Sequence, residues 1–276
     1  MGYLRQKQYI CTTFLLFAMD KISVVINTYN AANQLSQVLA AVRQFDEIVI
    51  CDMESTDNTC DIARKAGCRV ITFIKGDCCI VEPARQYAID AAQHEWVLVV
   101  DADEIVPDAL RHFLYSTISR ADAPAGIAIP RKNYFMGKFL HSRHPDYILR
   151  FFRKDAVYWP PIIHTSPQVN GRVEYIPAHR RELAFEHLAN ESVSDILRKT
   201  NTYSDYELPR RRHKNYGVGA LLGRPFFRFF KSYVLKKGFL DGIPGLVRAL
   251  LDAVYETVIV AKLLEERTTG IEPREE

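Results

Sequence analysis

The sequence predicts an α/β protein built on a mixed, mostly parallel sheet, with a helical C-terminal extension. Three observations carry this. Short β-branched runs alternate with segments of helical periodicity from Lys21 to Ser119. The polar residues Thr28, Asn30, Asp52, Asp101 and Asp103 stand where three of those runs stop. Beyond about residue 195 the apolar spacing turns helical. Strands alternating with helices over short loops imply a parallel sheet covered on both faces. Ligands of such sheets lie beyond the carboxyl ends of the strands.

Taken in order, Ile22 to Ile26 reads as a buried strand, and Leu35, Val38, Leu39 and Val42 recur at helical spacing. Glu47 to Cys51 is a second strand ending at Asp52. Thr59 to Ala66 is a helix stopped by Gly67, and Arg69 to Phe73 a third strand. Pro83 to Ala92 reads as a helix with proline in its first turn. Trp96 to Val100 is a fourth strand running straight into Asp101, and Pro107 to Ser119 a further helix. After Gly126 the alternation breaks down. Ile127 to Ile129 and Tyr147 to Phe152 read as strands of a mixed sheet edge, and the irregular stretch from His141 to His187 suits substrate contacts. Phe226, Phe229, Phe230 and Tyr233 form one helical stripe. A long amphipathic helix runs from Ile243 to Ile259.

Composition excludes little. Of 276 residues, 48% are hydrophobic and 25% charged, which suits a folded globular chain, and the net charge of +3 points to no partner. Its distribution is more informative: between Arg198 and Arg248 basic residues far outnumber the three acidic ones, Asp205, Glu207 and Asp241. Such a segment suits an anionic surface, either a membrane or a phosphorylated acceptor, with the aromatic residues at a headgroup boundary. The alternative is that the stripe packs on the rest of the protein. The cysteines, Cys11, Cys51, Cys60, Cys68, Cys78 and Cys79, form no CxxC pair, so a reducing, cytoplasmic setting without structural zinc is expected. Tyr9 to Met19 is apolar but shorter than the roughly 20 residues a spanning helix needs. Residues 1–20 are read as a dispensable extension.

The chemistry concentrates at Asp101-Ala102-Asp103. Two carboxylates one residue apart, just past a buried strand, suit a magnesium or manganese ion whose other ligands come from a diphosphate. The bland alternative is a solvated loop capping the next helix. Asp52 is placed to accept a hydrogen bond from a base N–H, while Ser55 to Thr59 read mainly as capping residues for the following helix. Neither GxGxxG nor GxxxxGK[ST] occurs, so metal and side chains must hold a diphosphate; Arg85 is a candidate. Haloacid-dehalogenase chemistry would need its DxDxT after the first strand. Here the pair follows the fourth, with Ile105 where the threonine should stand.

Asn27-Thr28-Tyr29-Asn30, then Asp52 with Ser55 to Thr59, then Asp101-Ala102-Asp103-Glu104 resemble glycosyltransferase family 2 in order and spacing. Pro145-Asp146, Arg150 to Arg153, and Lys237 to Gly242 with Gly245-Leu246 extend the similarity to bacterial lipopolysaccharide-core β-glucosyltransferases. The resemblance implies a GT-A nucleotide-sugar-binding domain over residues 21–195 and a basic, aromatic helical region over 196–276. It implies an inverting transfer of a hexose from a UDP-sugar such as UDP-glucose to a cell-envelope glycan or lipid-linked acceptor, with a divalent metal, Mg2+ or Mn2+. Nucleic acid is not among the implied partners, and the location is the inner face of the cytoplasmic membrane. Thr28 and Asn30 would line the nucleoside pocket and Asp52 hold uracil. Asp101 would meet the ribose or the metal's hydration shell, and Asp103 the metal and diphosphate. The subgroup's His-Glu pair is replaced by His164-Thr165. The base is therefore sought at Asp146, and second at Glu104. His164 and His187 are read either as phosphate or metal contacts or as packed histidines. A non-catalytic chain of the same fold that binds nucleotide-sugar is the alternative reading.

Overall fold

In the computed structural model, the described residues are 20–76, 81–162, 165–188 and 192–269. The expectations placed on residues 1–19 and on Cys78, Cys79 and His164 lie outside them. The first half alternates β1 (Ile22–Thr28), α1 (Ala32–Val42), β2 (Glu47–Asp52), α2 (Thr59–Lys65), β3 (Arg69–Thr72), α3 (Glu82–Ala91) and β4 (Trp96–Asp101). A two-residue β5 (Glu104–Ile105) and α4 (Asp108–Ile118) follow, then β6 (Gly126–Lys132). A small hairpin comes next, β7 (Tyr134–Phe135) and β8 (Lys138–Phe139). The remaining strands are β9 (Asp146–Arg153), β10 (Val157–Tyr158), β11 (Gln168–Val169), β12 (Val173–Tyr175) and β13 (Phe185–His187).

The main sheet runs β3-β2-β1-β4-β9-β6-β13-β5, with β12 also paired to β6. The pairs among β3, β2, β1 and β4 are parallel. β9 lies antiparallel to both β4 and β6 and converts the sheet to a mixed one. The sheet is covered on both faces, so β1 is buried along its whole length rather than at alternate positions. Val24, Ile26, Leu98 and Val100 face a core with α1 and α4, built on Leu35, Val38, Leu110 and Leu114. Val25, Val97 and Val99 face the other core, with Ala84, Ala88 and Ile89 of α3.

The C-terminal part is helical from Val193. α5 (Val193–Arg211) opens with a capping box in which Ser192 and Asp195 exchange hydrogen bonds. α6 (Val218–Phe230) continues into a π turn over Lys231–Leu235, and α7 (Ile243–Thr269) packs back on α5 and α6. Gly238 and Gly245 permit the crossing: a Cβ on Gly245 would overlap the Gly238 carbonyl oxygen, and one on Gly238 would stand 2.8 Å from the Ser232 carbonyl oxygen. Asp241, buried, accepts from the backbone N–H groups of His141 (2.8 Å) and Ser142 (3.0 Å), tying the extension to the loop before β9. Among the described residues no helix is long and apolar enough to cross a membrane.

Candidate active site

Strand alternation decides where each rim residue points. Thr28 and Asp52 follow Ile26 and Ile50, so they lie on the α1 side of the sheet; they are register partners across β1 and β2. The Thr28 hydroxyl donates to Asp52 Oδ1 (2.9 Å), as does the Ser55 hydroxyl (2.6 Å), and the Ser55 N–H donates to Oδ2 (2.8 Å). Both Thr28 and Asp52 are buried, and Asp52 is already an acceptor for its own loop. A base N–H reaches it only where these groups give way. Asn30, at a left-handed φ of 49°, accepts from the Thr56 N–H (2.8 Å), and its own N–H donates to Ser55 Oγ (2.9 Å).

The capping expectation for Ser55 to Thr59 holds for Asp57, which caps the first N–H of α2, and is incomplete for the rest. Asn58, at the helix start, makes no side-chain cap. Asp57 instead accepts from the Thr59 N–H (3.0 Å) and from Ala32 N–H at the start of α1 (3.1 Å), while Thr59 Oγ1 accepts from the Ala31 N–H (2.8 Å). The segment cross-links the first and second loops. Tyr29 projects from that junction, half exposed, with Lys75 Nζ 3.8 Å from its ring centre.

Asp101 follows Val97 and Val99 onto the α3 side. Arg85, from α3, places Nη2 2.7 Å from Asp101 Oδ1, and Arg150, from β9, places Nη2 2.7 Å from Oδ2. Both guanidiniums lie against the Trp159 ring, at 4.9 and 5.1 Å from its centre. Burial works to raise the Asp101 pKa, but the two arginines outweigh it and hold the carboxyl well below the usual range. Arg85 is thus a buried partner of the DxD aspartate rather than a surface arginine.

Asp103, at the same turn, is more open. β13 pairs antiparallel with β5, and this brings His187 Nε2 to 3.2 Å from Asp103 Oδ2, while His187 Nδ1 meets Asn133 Oδ1 at 3.1 Å. The Leu188 N–H donates to the Asp103 carbonyl at 2.7 Å, which fixes the turn.

A cavity of about 1070 Å³ opens at this point. Asp101, Asp103, Asp146 and His187 line it; Thr28, Asn30, Asp52, Arg85 and Glu104 do not. Asp146 Oδ2 accepts from Arg131 Nη2 (2.7 Å), Arg131 Nε (3.0 Å) and Asn133 Nδ2 (2.9 Å). Burial pushes its pKa up, yet Arg131 and Asn133 prevail, so it stays ionised below the ordinary range. Glu104 is a different case and corrects the second candidate for the base. Its side chain is fully buried, Oε2 accepts from the Asp101 N–H (3.1 Å), and Arg131 lies 3.3 Å from Oε1. Burial and the Asp101 charge push its pKa up. An enclosed carboxyl holding the DxD turn has no path to an acceptor hydroxyl.

The donor set also sorts the metal ligands. Both Asp101 oxygens are held by guanidiniums, so the expectation that it ligates a metal directly is not supported by this geometry. Asp103 with His187 fits a divalent cation. Among the described residues no group of three or more His, Cys, Asp or Glu side chains gathers to hold one, so further ligands would have to be substrate oxygens. Arg131, Asn133, Arg150 and Trp159 received no role from sequence reading. Arg150 carried one legible signal, a charge within an apolar strand, since buried charges are paired.

The family model described as "Glycosyl transferase family 2" matches residues 23–174. The chain belongs to glycosyl transferase family 2. It is 23% identical over 267 residues to a glycosyltransferase of Rickettsia felis, covering 90% of both chains. It is also 23% identical over 264 residues to the lipopolysaccharide core biosynthesis glycosyltransferase LpsC of Rhizobium meliloti, covering 91% of this chain and 95% of that protein. Among solved structures, S. aureus TarS 1-349 matches 92% of this chain and 93% of its own, at 14% identity and a TM-score of 0.45.

Proposed function

We propose that this glycosyltransferase moves a hexose from a UDP-sugar, of which UDP-glucose is one example, to a hydroxyl of a lipopolysaccharide-core or related cell-envelope acceptor, with inversion at the anomeric carbon. The observation that carries the reading is the placement of Asp103, His187 and Asp146 on one cavity at the carboxyl end of β4. At about 1070 Å³ the cavity is slightly larger than the roughly 300–1,000 Å³ typical of small-molecule sites, so it has room for a sugar acceptor. The nucleoside lies over the loops joined by Asn30, Ser55 and Thr56, with the exposed Tyr29 ring as a flat face beside it. Asp101, neutralised by Arg85 and Arg150, orients the turn and leaves its backbone neighbour Asp103 to face the ligand.

Asp103 and His187 would hold a divalent metal. When bound, such an ion neutralises charge on a departing diphosphate. Asp146 takes the proton from the acceptor hydroxyl as the new carbon–oxygen bond forms and the bond to UDP breaks. Oδ1 is the oxygen assigned to this, because among the described residues the hydrogen bonds to Asp146 fall on Oδ2.

The second part of the reading places the enzyme on an anionic membrane surface. Val218, Leu222 (75% exposed), Phe226 (71% exposed), Phe227 and Phe230 of α6 are solvent-facing, and Leu235, Leu240 and Ile243 continue the apolar strip. Lys231 and Lys237 are exposed beside it. An apolar face with a cationic fringe is the pattern of an interfacial helix. UDP release from a panel of UDP-sugars, with and without anionic vesicles carrying envelope lipids, tests both parts, and NMR of the product anomer tests inversion. Turnover of one sugar, raised by the vesicles, is expected; no UDP binding at all overturns the donor assignment.

A further inference from the structure

The same cavity carries a second cluster of charge. Its carboxylates Asp101, Asp103 and Asp146 come from the sheet, whereas the helical extension brings Arg228 of α6, Lys236 after the π turn and Arg248 of α7, beside Arg143. The carboxylate Asp252 meets two of these cations. It pairs with Arg143, accepts from the Ser232 hydroxyl (2.7 Å), and lies 3.8 Å from Arg248 Nε. Arg143 Nε is buried with no acceptor among the described residues. Arg228 and Lys236 have no side-chain acceptor among the described residues. Loss of hydration, then the charges of Arg143, Arg228 and Lys231, push the Lys236 pKa down, and Asp252 offsets them only in part.

Neighbouring like charges disfavour each other's charged form, and a bound anion relieves this. Asp252 Oδ2 is taken by Arg143 and Ser232 and its Oδ1 faces Arg248, so it makes no hydrogen bond to Arg228 or Lys236. We propose that Arg143, Arg228, Lys236 and Arg248 form an anion subsite that holds a phosphomonoester on the acceptor while its hydroxyl is presented to Asp146. Guanidinium forks suit phosphate oxygens, and Lys236 adds a point charge. This rests on the glycosyltransferase reading above and narrows its acceptor to a phosphorylated one.

The test uses the full chain saturated with UDP and Mg2+, so that the donor site is filled. Glucose 6-phosphate serves as the phosphomonoester probe and glucose as the neutral control, both followed by ligand-observed NMR. Wild type is expected to bind glucose 6-phosphate at least tenfold more tightly than glucose. Arg228→Gln with Lys236→Gln should remove that preference and leave UDP affinity within twofold. Neither residue pairs with Asp252, so the variant keeps the Arg143 ion pair; if the double variant melts early, Lys236→Gln alone should weaken glucose 6-phosphate threefold or more. Equal binding of both probes by wild type, or an unchanged preference in the variants, overturns the subsite. Displacement of glucose 6-phosphate by anionic vesicles also overturns it and assigns the cluster to lipid headgroups. Loss of UDP binding with the phosphate preference intact sinks the donor reading and leaves the subsite standing.

Discussion

Replacing Asp101 by Asn keeps the shape of the DxD turn and removes one charge. The consequence follows from its two partners. Arg85 and Arg150 have only 10% and 9% of their side chains exposed, and each spends a hydrogen bond of 2.7 Å on Asp101. Without the carboxylate, two enclosed cations face each other beside Trp159 with nothing to offset them. Removing one partner of a buried ion pair costs about 3–5 kcal/mol. At about 2–4 °C per kcal/mol for a chain near this size, Tm should fall by roughly 6–20 °C. Asp103→Asn is the control. Its side chain is 34% exposed and, among the described residues, meets only His187, so a loss under about 1 kcal/mol is expected. Thermal melts by circular dichroism compare the two directly. An Asp101→Asn protein that melts within about 2 °C of wild type refutes the claim that Asp101 is a structural counter-charge.

Asp146→Asn should lower transfer by about 10²–10⁴-fold, the range for losing a general base, with UDP affinity unchanged; a loss under tenfold in single-turnover assays rejects Asp146 as the base. Arg131→Gln should move the acid limb of the kcat/KM profile to higher pH. Arg131 holds the Asp146 pKa down, so its removal lets that pKa rise and the ionised base disappear sooner as pH falls; an unmoved limb contradicts this. Gly245→Ala should destabilise the α6–α7 crossing, because the added Cβ overlaps the Gly238 carbonyl. Faster proteolysis after Val193 is the expected readout, and an unchanged digest counts against it.

Much of the first half was legible because each signal was local. Leu35, Val38, Leu39 and Val42 are the buried face of α1, and Asp52 and Asp101 close β2 and β4. What alternation does to those ends was not drawn from the sequence: it sends Asp52 toward α1 and Asp101 toward α3. The partners were hidden for a different reason. Arg150 lies 49 residues from Asp101, and His187 lies 84 from Asp103. Only the insertion of β9 between β4 and β6, and the return of β13 onto β5, brings them together. Glu104 was misjudged because its position beside the DxD resembles a site residue, whereas its side chain turns inward to cap the Asp101 N–H. The phenylalanines of α6 were left between packing and membrane, and the fold leaves Phe226 and Phe227 exposed.

The central claim is a nucleotide-sugar site built on Asp103 and His187. Calorimetric titration of UDP in the presence and absence of Mn2+, with wild type and Asp103→Ala, tests it most directly. Metal-dependent UDP binding in wild type, weakened at least tenfold in a variant that still melts like wild type, is the predicted result. Equal UDP affinity in both proteins, or no metal dependence in either, would contradict it.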